Sequence, residues 1–230
     1  ADGRLMIAGG RSASRLTSVF DHENDEWVRL ENMHDGRWYA SSTTLANGSV
    51  VTASASIGTG LNTVERYDEG KGWTLLTGVP WNSVPTKDFP FNFVAPDGRI
   101  ISAGPRGLMH WVDPQGTGQI TQTGAYFPGS RTGQSGGVLV FDVGKILFAG
   151  GGVVGGGTTN VAHVVDFNDE TPQVTEVASM RFRRRFHNAL MLPDGQAIMI
   201  GGNTSGIAFE DSGTIYAPEM WDPATDTWTE

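Results

Sequence analysis

One pattern recurs along this chain: an apolar run, a glycine turn, a second apolar run and a stop of small residues. It reads YASSTTLANGSVVTASAS at 39–56, FPFNFVAPDGRIISAG at 89–104, QSGGVLVFDVGKILFAGG at 134–151 and FHNALMLPDGQAIMIGG at 186–202. A half copy, ADGRLMIAGG, opens the sequence at 1–10. The turn glycines Gly3, Gly48, Gly98, Gly144 and Gly195 lie 45, 50, 46 and 51 residues apart. A period of this length belongs to architectures in which each repeat is one small supersecondary unit that buries its faces only against its neighbours.

Each copy predicts a strand, a tight turn and a second strand. Asn-Gly and Asp-Gly are the dipeptides a two-residue hairpin turn favours, because glycine takes a positive φ without a Cβ clash. The second strands, Leu5–Ala8, Ile100–Ser102, Ile146–Ala149 and Ala197–Ile200, are continuously apolar, as strands covered on both faces are. An aromatic or apolar residue followed by Asp comes next, in Phe20-Asp21, Tyr67-Asp68, Val112-Asp113 and Trp221-Asp222. A tryptophan follows in Glu26-Trp27, Gly72-Trp73 and Thr227-Trp228, and these pieces supply third and fourth strands. Four-stranded antiparallel sheets stacked radially make an all-β propeller. The double glycines Gly9-Gly10, Gly150-Gly151 and Gly201-Gly202 point to the kelch kind, where crowded backbones leave no room for a side chain. At 230 residues the chain holds about four and a half such blades of an expected seven, at 1–33 (incomplete), 34–80, 81–129, 130–180 and 181–230.

Composition narrows the partners. Only 18% of residues are charged and 22 are Phe, Trp or Tyr, the reverse of a disordered chain. A net charge of −9 argues against nucleic acid, whose binding rests on clustered cations. The one basic cluster, Arg181, Arg183, Arg184 and Arg185, reads as a solvated or salt-bridged loop. No apolar run is long enough to span a membrane, and no signal peptide is visible. With no cysteine, disulfide scaffolds and cysteine zinc sites are excluded within these residues. The glycine run at 150–157 lacks the Gly-Lys-Ser/Thr ending of a phosphate loop and reads as a loop at the propeller mouth.

Three stretches are more specific: Gly36-Arg37-Trp38-Tyr39-Ala40-Ser41-Ser42, then Arg185-Phe186-His187-Asn188-Ala189-Leu190 with Leu192-Pro193-Asp194-Gly195, and Gly206-Ile207-Ala208-Phe209-Glu210-Asp211-Ser212 followed by Tyr216-Ala217-Pro218-Glu219-Met220. Together they resemble the catalytic propeller of the galactose oxidase and glyoxal oxidase family, the copper radical oxidases. The resemblance implies a seven-bladed kelch propeller with one copper held by two tyrosines and two histidines. One of those tyrosines is joined to a cysteine and stores a radical. It also implies oxidation of a small alcohol, aldehyde or carbohydrate with reduction of O2 to H2O2, in a secreted protein. Tyr39 matches the radical tyrosine, which is also a metal ligand, and Phe186 and Phe209 match aromatics that line the substrate pocket. The stacking tryptophan of galactose oxidase falls near Ile57, and its sugar-binding arginine near Phe89 or Pro90. These departures favour a simple alcohol or an aldehyde over galactose.

The resemblance places the cysteine partner before Ala1 and the second tyrosine and the histidine ligands after Glu230. The chain alone is therefore expected to bind no catalytic copper and to be inactive, the remaining blades coming from the same protein or a complementary chain. His22, His34, His110, His163 and His187 are scattered and suggest no shared site; His187 stands out by following Phe186 at a repeat opening. Asn203 and Asn47 open glycosylation acceptor patterns, Asn203 being the better candidate because Asn47 sits in a tight turn. The alternative to an oxidase portion is a non-catalytic kelch propeller that binds carbohydrate or protein.

Overall fold

The structure is a computed structural model, and it describes residues 3–55, 58–81, 89–105, 107–127, 135–152 and 157–230. Ile57 and the middle of the glycine run, 153–156, lie outside them. The described strands form five consecutive antiparallel sheets. The first joins β1 (Leu5–Ala8), β2 (Thr17–Asp21) and β3 (Glu26–Arg29). The second holds β4 (Ser41–Thr44), β5 (Val50–Ala53), β6 (Val64–Asp68) and β7 (Gly72–Leu75) in sequence order. The third holds β8 (Asn92–Val94), β9 (Ile100–Ser102), β10 (Leu108–Asp113) and β11 (Gln119–Tyr126). The fourth is β12 (Gly137–Asp142), β13 (Lys145–Ala149), β14 (Ala162–Asp166) and β15 (Gln173–Val177); the fifth is β16 (Asn188–Met191), β17 (Ala197–Ile200), β18 (Glu219–Asp222) and β19 (Thr227–Thr229). These are five blades of the β-propeller type where four and a half were expected, because the opening half copy builds a three-stranded sheet of its own. The one helical turn described is a 3-10 turn at Thr59–Asn62.

Three of the hairpins differ from the expected two-residue turns, whereas Val143-Gly144 alone joins β12 to β13, with Asp142 paired to Lys145. Leu45 N–H donates to Ser49 O and Gly48 N–H to Leu45 O, and the same pair of bonds recurs at Ala95/Arg99 and Leu192/Gln196. Only the glycine is left-handed, with φ of 87° at Gly48, Gly98 and Gly195. The loop is thus three residues long, a turn closed by a glycine bulge, a geometry that leaves Asn47, Asp97 and Asp194 at negative φ. Their side chains instead accept the N–H two residues on, at Ser49, Arg99 and Gln196.

The chain divides into two compact units, 1–104 with 108–122, and 105–107 with 123–230. In the first, Met33, Val50, Tyr67 and Trp73 pack with Met6, Ala8 and Leu30 between the first and second blades. Leu45, Val51, Ala53, Val64, Leu76, Val79, Trp81, Ile100 and Val112 fill the space between the second and third. In the second unit Leu139, Leu147, Ala149, Met180, Ala197, Met199 and Trp221 do the same between the fourth and fifth. Sheet faces are therefore buried by neighbouring sheets, which is why β5, β9 and most of β13 are buried at every residue. β1 departs from that expectation: Leu5 and Ile7 are exposed, and β17 alternates rather than being covered throughout. Among the described residues β1 pairs only with β2, which leaves its other edge without a strand partner.

The double glycines have a specific neighbour. A Cβ on Gly9 would stand 2.7 Å from Arg37 O, and one on Gly150 2.7 Å from Arg184 O. Gly10 and Gly151 donate their N–H groups to those same two carbonyls. The second strands of the first and fourth blades thus run out against the arginine that opens the next blade.

Candidate functional site at the blade openings

The residue that opens each blade is left-handed. Tyr39 (φ 65°), Phe89 (47°), Ser135 (65°) and Phe186 (59°) all sit just before an innermost strand. For a residue with a Cβ this conformation costs about 1–3 kcal/mol and persists only where the surroundings enforce it. The enforcement is visible within each unit: Phe89 N–H donates to Tyr39 O at 2.9 Å, and Phe186 N–H to Ser135 O at 2.8 Å. In each unit the two openings are thus tied backbone to backbone.

A buried arginine two residues earlier holds two of these openings. Arg37 and Glu65 are both wholly buried and paired at 2.9 Å. The Arg37 guanidinium also donates to Ser54 O, Thr63 O and Thr63 Oγ1. Glu65 accepts the backbone N–H groups of His34 and Asp35 as well. The fifth blade repeats the arrangement. Arg184 pairs with buried Glu219 at 2.6 Å and donates to Gly201 O and Ala217 O, while Glu219 accepts from Arg181 N–H and Phe182 N–H. Burial lowers the basicity of Arg37, and the Glu65 charge partly restores it. Of the expected solvated or salt-bridged loop, the salt-bridged part holds for Arg181 and Arg184, and the four side chains meet different surroundings. Arg184 is core, Arg181 pairs at the surface with Glu230, Arg183 is exposed and Arg185 is half-buried.

Tyr39 is 39% exposed, and no hydrogen bond to its hydroxyl is made among the described residues. Its ring is held from two sides, by Trp38 at 4.8 Å and Phe89 at 4.6 Å between centroids. Each such contact contributes about 0.5–1.5 kcal/mol beyond its buried area. Phe89, read from sequence only as a departure from a sugar-binding arginine, is the ring that stands on Tyr39. Its place at a repeat opening, fifty residues after Tyr39, was the signal that could have shown it.

Phe186 occupies in its own blade the position that Tyr39 holds in the second, and is 38% exposed. Phe209, also left-handed at φ 61°, projects fully into solvent from the loop after β17. Asn203 organises that loop. Its Nδ2 donates to Ile207 O and Glu210 O, and its Oδ1 accepts from Ser205 Oγ and Gly206 N–H. Asn203 is buried, so the amide nitrogen of this acceptor pattern points into the loop, whereas Asn47 is exposed at a hairpin tip.

The histidines do not converge. His187 is buried, and its Nε2 accepts the Gly137 N–H at 3.0 Å. Burial, with the Arg184 charge adding to it, pushes the ring down to about 4, so it is neutral and spent on packing. Burial also lowers His110 and His163. Among the described residues no three His, Cys, Asp or Glu side chains come together as a metal site. Tyr39 is one oxygen donor and nothing described completes a ligand set around it, so these residues by themselves do not fit a copper ion.

No family model matches the chain. Two galactose oxidases of Gibberella zeae, one from strain PH-1, are 31% identical over 253 aligned residues, which takes in 99% of this chain. This chain is homologous to galactose oxidase. It spans about a third of the length of those relatives (36%). A solved fungal alcohol oxidase, described as catalytically diverse among the AA5 family and in complex with copper, is 32% identical with a TM-score of 0.92. That match covers 100% of this chain and 51% of the other. The structure of YjhT, at 16% identity and a TM-score of 0.73 over 100% of this chain and 80% of that one, shares the fold. Among the described residues no helix is long and apolar enough to cross a membrane.

Proposed function

We propose that this chain is a portion of a secreted copper radical oxidase that oxidises small primary alcohols or aldehydes and reduces O2 to H2O2. The observation that carries the reading is the homology to galactose oxidase and to a copper-complexed alcohol oxidase along the whole chain, with a tyrosine at the strained, ring-packed opening of the second blade. Tyr39 is the radical tyrosine and a metal donor in this proposal. The cysteine joined to it and the other copper ligands come from outside these 230 residues, from further blades of the same protein or of a complementary chain. Trp38 and Phe89 fix the phenol plane and keep water from its faces. Phe186 and Phe209 offer apolar surface to the substrate, and Phe89 in place of a sugar-binding arginine favours a substrate simpler than galactose.

The test uses the full-length protein loaded with copper. Peroxide production from primary alcohols and aldehydes is expected, together with a tyrosyl radical signal by electron paramagnetic resonance. Tyr39→Phe is expected to abolish both while the protein still folds. A copper-loaded full-length protein with neither signal overturns the oxidase reading and leaves a non-catalytic propeller that binds carbohydrate or protein. The 230-residue chain by itself is expected to show no turnover.

A further inference from the structure

Arg185 is the one member of the basic cluster at 181–185 that is both partly buried and uncompensated. Its guanidinium lies over the Phe186 ring, 4.7 Å from the centroid. One nitrogen, Nη1, donates to Gly206 O at 3.1 Å. Its Nε is buried and meets no acceptor. Among the described residues no carboxylate reaches ion-pair distance of it, whereas Arg184 has Glu219 and Arg181 has Glu230. In a chain of net charge −9, with acidic Glu210 and Asp211 only a few residues further along the same loop, that absence is specific.

The surroundings are shaped rather than incidental. Asn203 clamps the loop from both of its amide atoms, and the loop carbonyl so positioned, Gly206 O, holds Nη1. The same loop presents Ile207 and Phe209 to solvent, and the Phe186 ring under the guanidinium is itself 38% exposed. Arg185 therefore offers a planar, forked donor with an apolar surface next to it. That combination recognises a carboxylate carried on a short hydrocarbon. A half-buried guanidinium has already lost part of its hydration, so an anion arriving there loses less to competition from water than it would at the surface.

We propose that Arg185 selects substrates: it binds the carboxylate of a small hydroxy- or aldehydo-carboxylic acid whose carbon chain rests on the exposed part of Phe186. This rests on the oxidase reading for the word substrate. The binding site itself stands on the geometry of one compact unit. Arg185 touches the bound acid and takes no part in the oxidation.

The experiment compares full-length protein with its Arg185→Gln and Arg185→Lys variants on a matched pair, 4-hydroxybutanoate and 1,4-butanediol. It also titrates the non-oxidisable probe butanoate by calorimetry. Arg185→Gln is expected to lower the ratio of kcat/KM for the anion to that for the diol about tenfold, mainly through KM, and to weaken butanoate binding by a similar factor. Arg185→Lys is expected to restore part of both, since it keeps the charge and loses the fork. An unchanged ratio with unchanged butanoate binding in Arg185→Gln overturns the proposal. If no compound yields peroxide, the oxidase reading fails, and calorimetry alone still decides: tenfold weaker butanoate binding supports the anion site, and equal binding or none in the unsubstituted protein refutes it.

Discussion

Replacing Glu65 by leucine should be among the most damaging single changes in the first unit. The carboxylate is wholly buried and takes four donors: Arg37 Nη2 at 2.9 Å, His34 N–H at 2.7 Å, Asp35 N–H at 3.1 Å and His34 Nδ1 at 2.9 Å. Removing it leaves the Arg37 guanidinium fully buried without its paired carboxylate, with the Ser54 and Thr63 oxygens and the Asp35 charge among its remaining partners. Breaking one side of a buried pair costs about 3–5 kcal/mol, most of it the stranded charge. The two freed N–H groups are only part-buried, so water recovers much of their share. For a chain of this size each kcal/mol moves Tm by about 2–4 °C, so the expected fall is roughly 6–20 °C. Urea unfolding followed by tryptophan fluorescence measures it, because Trp73 and Trp81 are buried in the same unit. Arg37→Met combined with Glu65→Leu removes both charges and should recover at least half of the loss. If Glu65→Leu stays within about 1 kcal/mol of the parent protein, or the double variant is no better than the single, the stranded-charge reasoning is wrong.

Two further outcomes follow from the second unit. His187 is held neutral with its pKa depressed to about 4, below its ordinary value of 6.5. Its contribution to stability is present above pH 6.5 and is lost as pH falls toward 4. The loss is on the order of 3 kcal/mol across that window, and His187→Gln, which keeps an acceptor for the Gly137 N–H, should flatten the pH dependence of Tm between pH 6.5 and 4. A Cβ on Gly137 would stand 2.6 Å from His187 Nε2 and 2.9 Å from Met199 Sδ. Gly137→Ala should therefore destabilise by about 1–3 kcal/mol in urea unfolding, and a variant as stable as the parent would mean that the ring moves aside freely.

Much of the blade was legible in the chain. The second strands at 5–8, 100–102 and 197–200 coincide with β1, β9 and β17, because an apolar run next to a glycine bulge has few other ways to bury itself. The aspartates after the third strands lie at the ends of β2, β6, β10 and β18. The hairpin loops were placed correctly and their length was misjudged: Asn-Gly and Asp-Gly fit two turn types, and only the hydrogen bonds show that the glycine alone takes positive φ. Tyr39, Phe186 and Phe209 were singled out through resemblance, and Phe89 was noticed only as a departure from a sugar-binding arginine, not as the ring that packs on Tyr39. Its partner ring lies fifty positions away, and no local pattern encodes that contact.

By itself the sequence determined a repeating antiparallel sheet, because glycine spacing and apolar runs act over a few residues. It also determined homology to an oxidase, which short blade-opening motifs carry. Tertiary structure alone decided the fate of four identical basic side chains close together in the chain. In the run Arg181-Phe182-Arg183-Arg184-Arg185, Arg184 is core, Arg181 is a surface ion pair and Arg185 is an uncompensated cation on an aromatic ring. The physical reason is that a charge's energy depends on its distance to a counter-charge and on its exposure to water. Both are set by Glu219 and Gly206, residues from distant strands and loops that adjacency in the chain does not bring near.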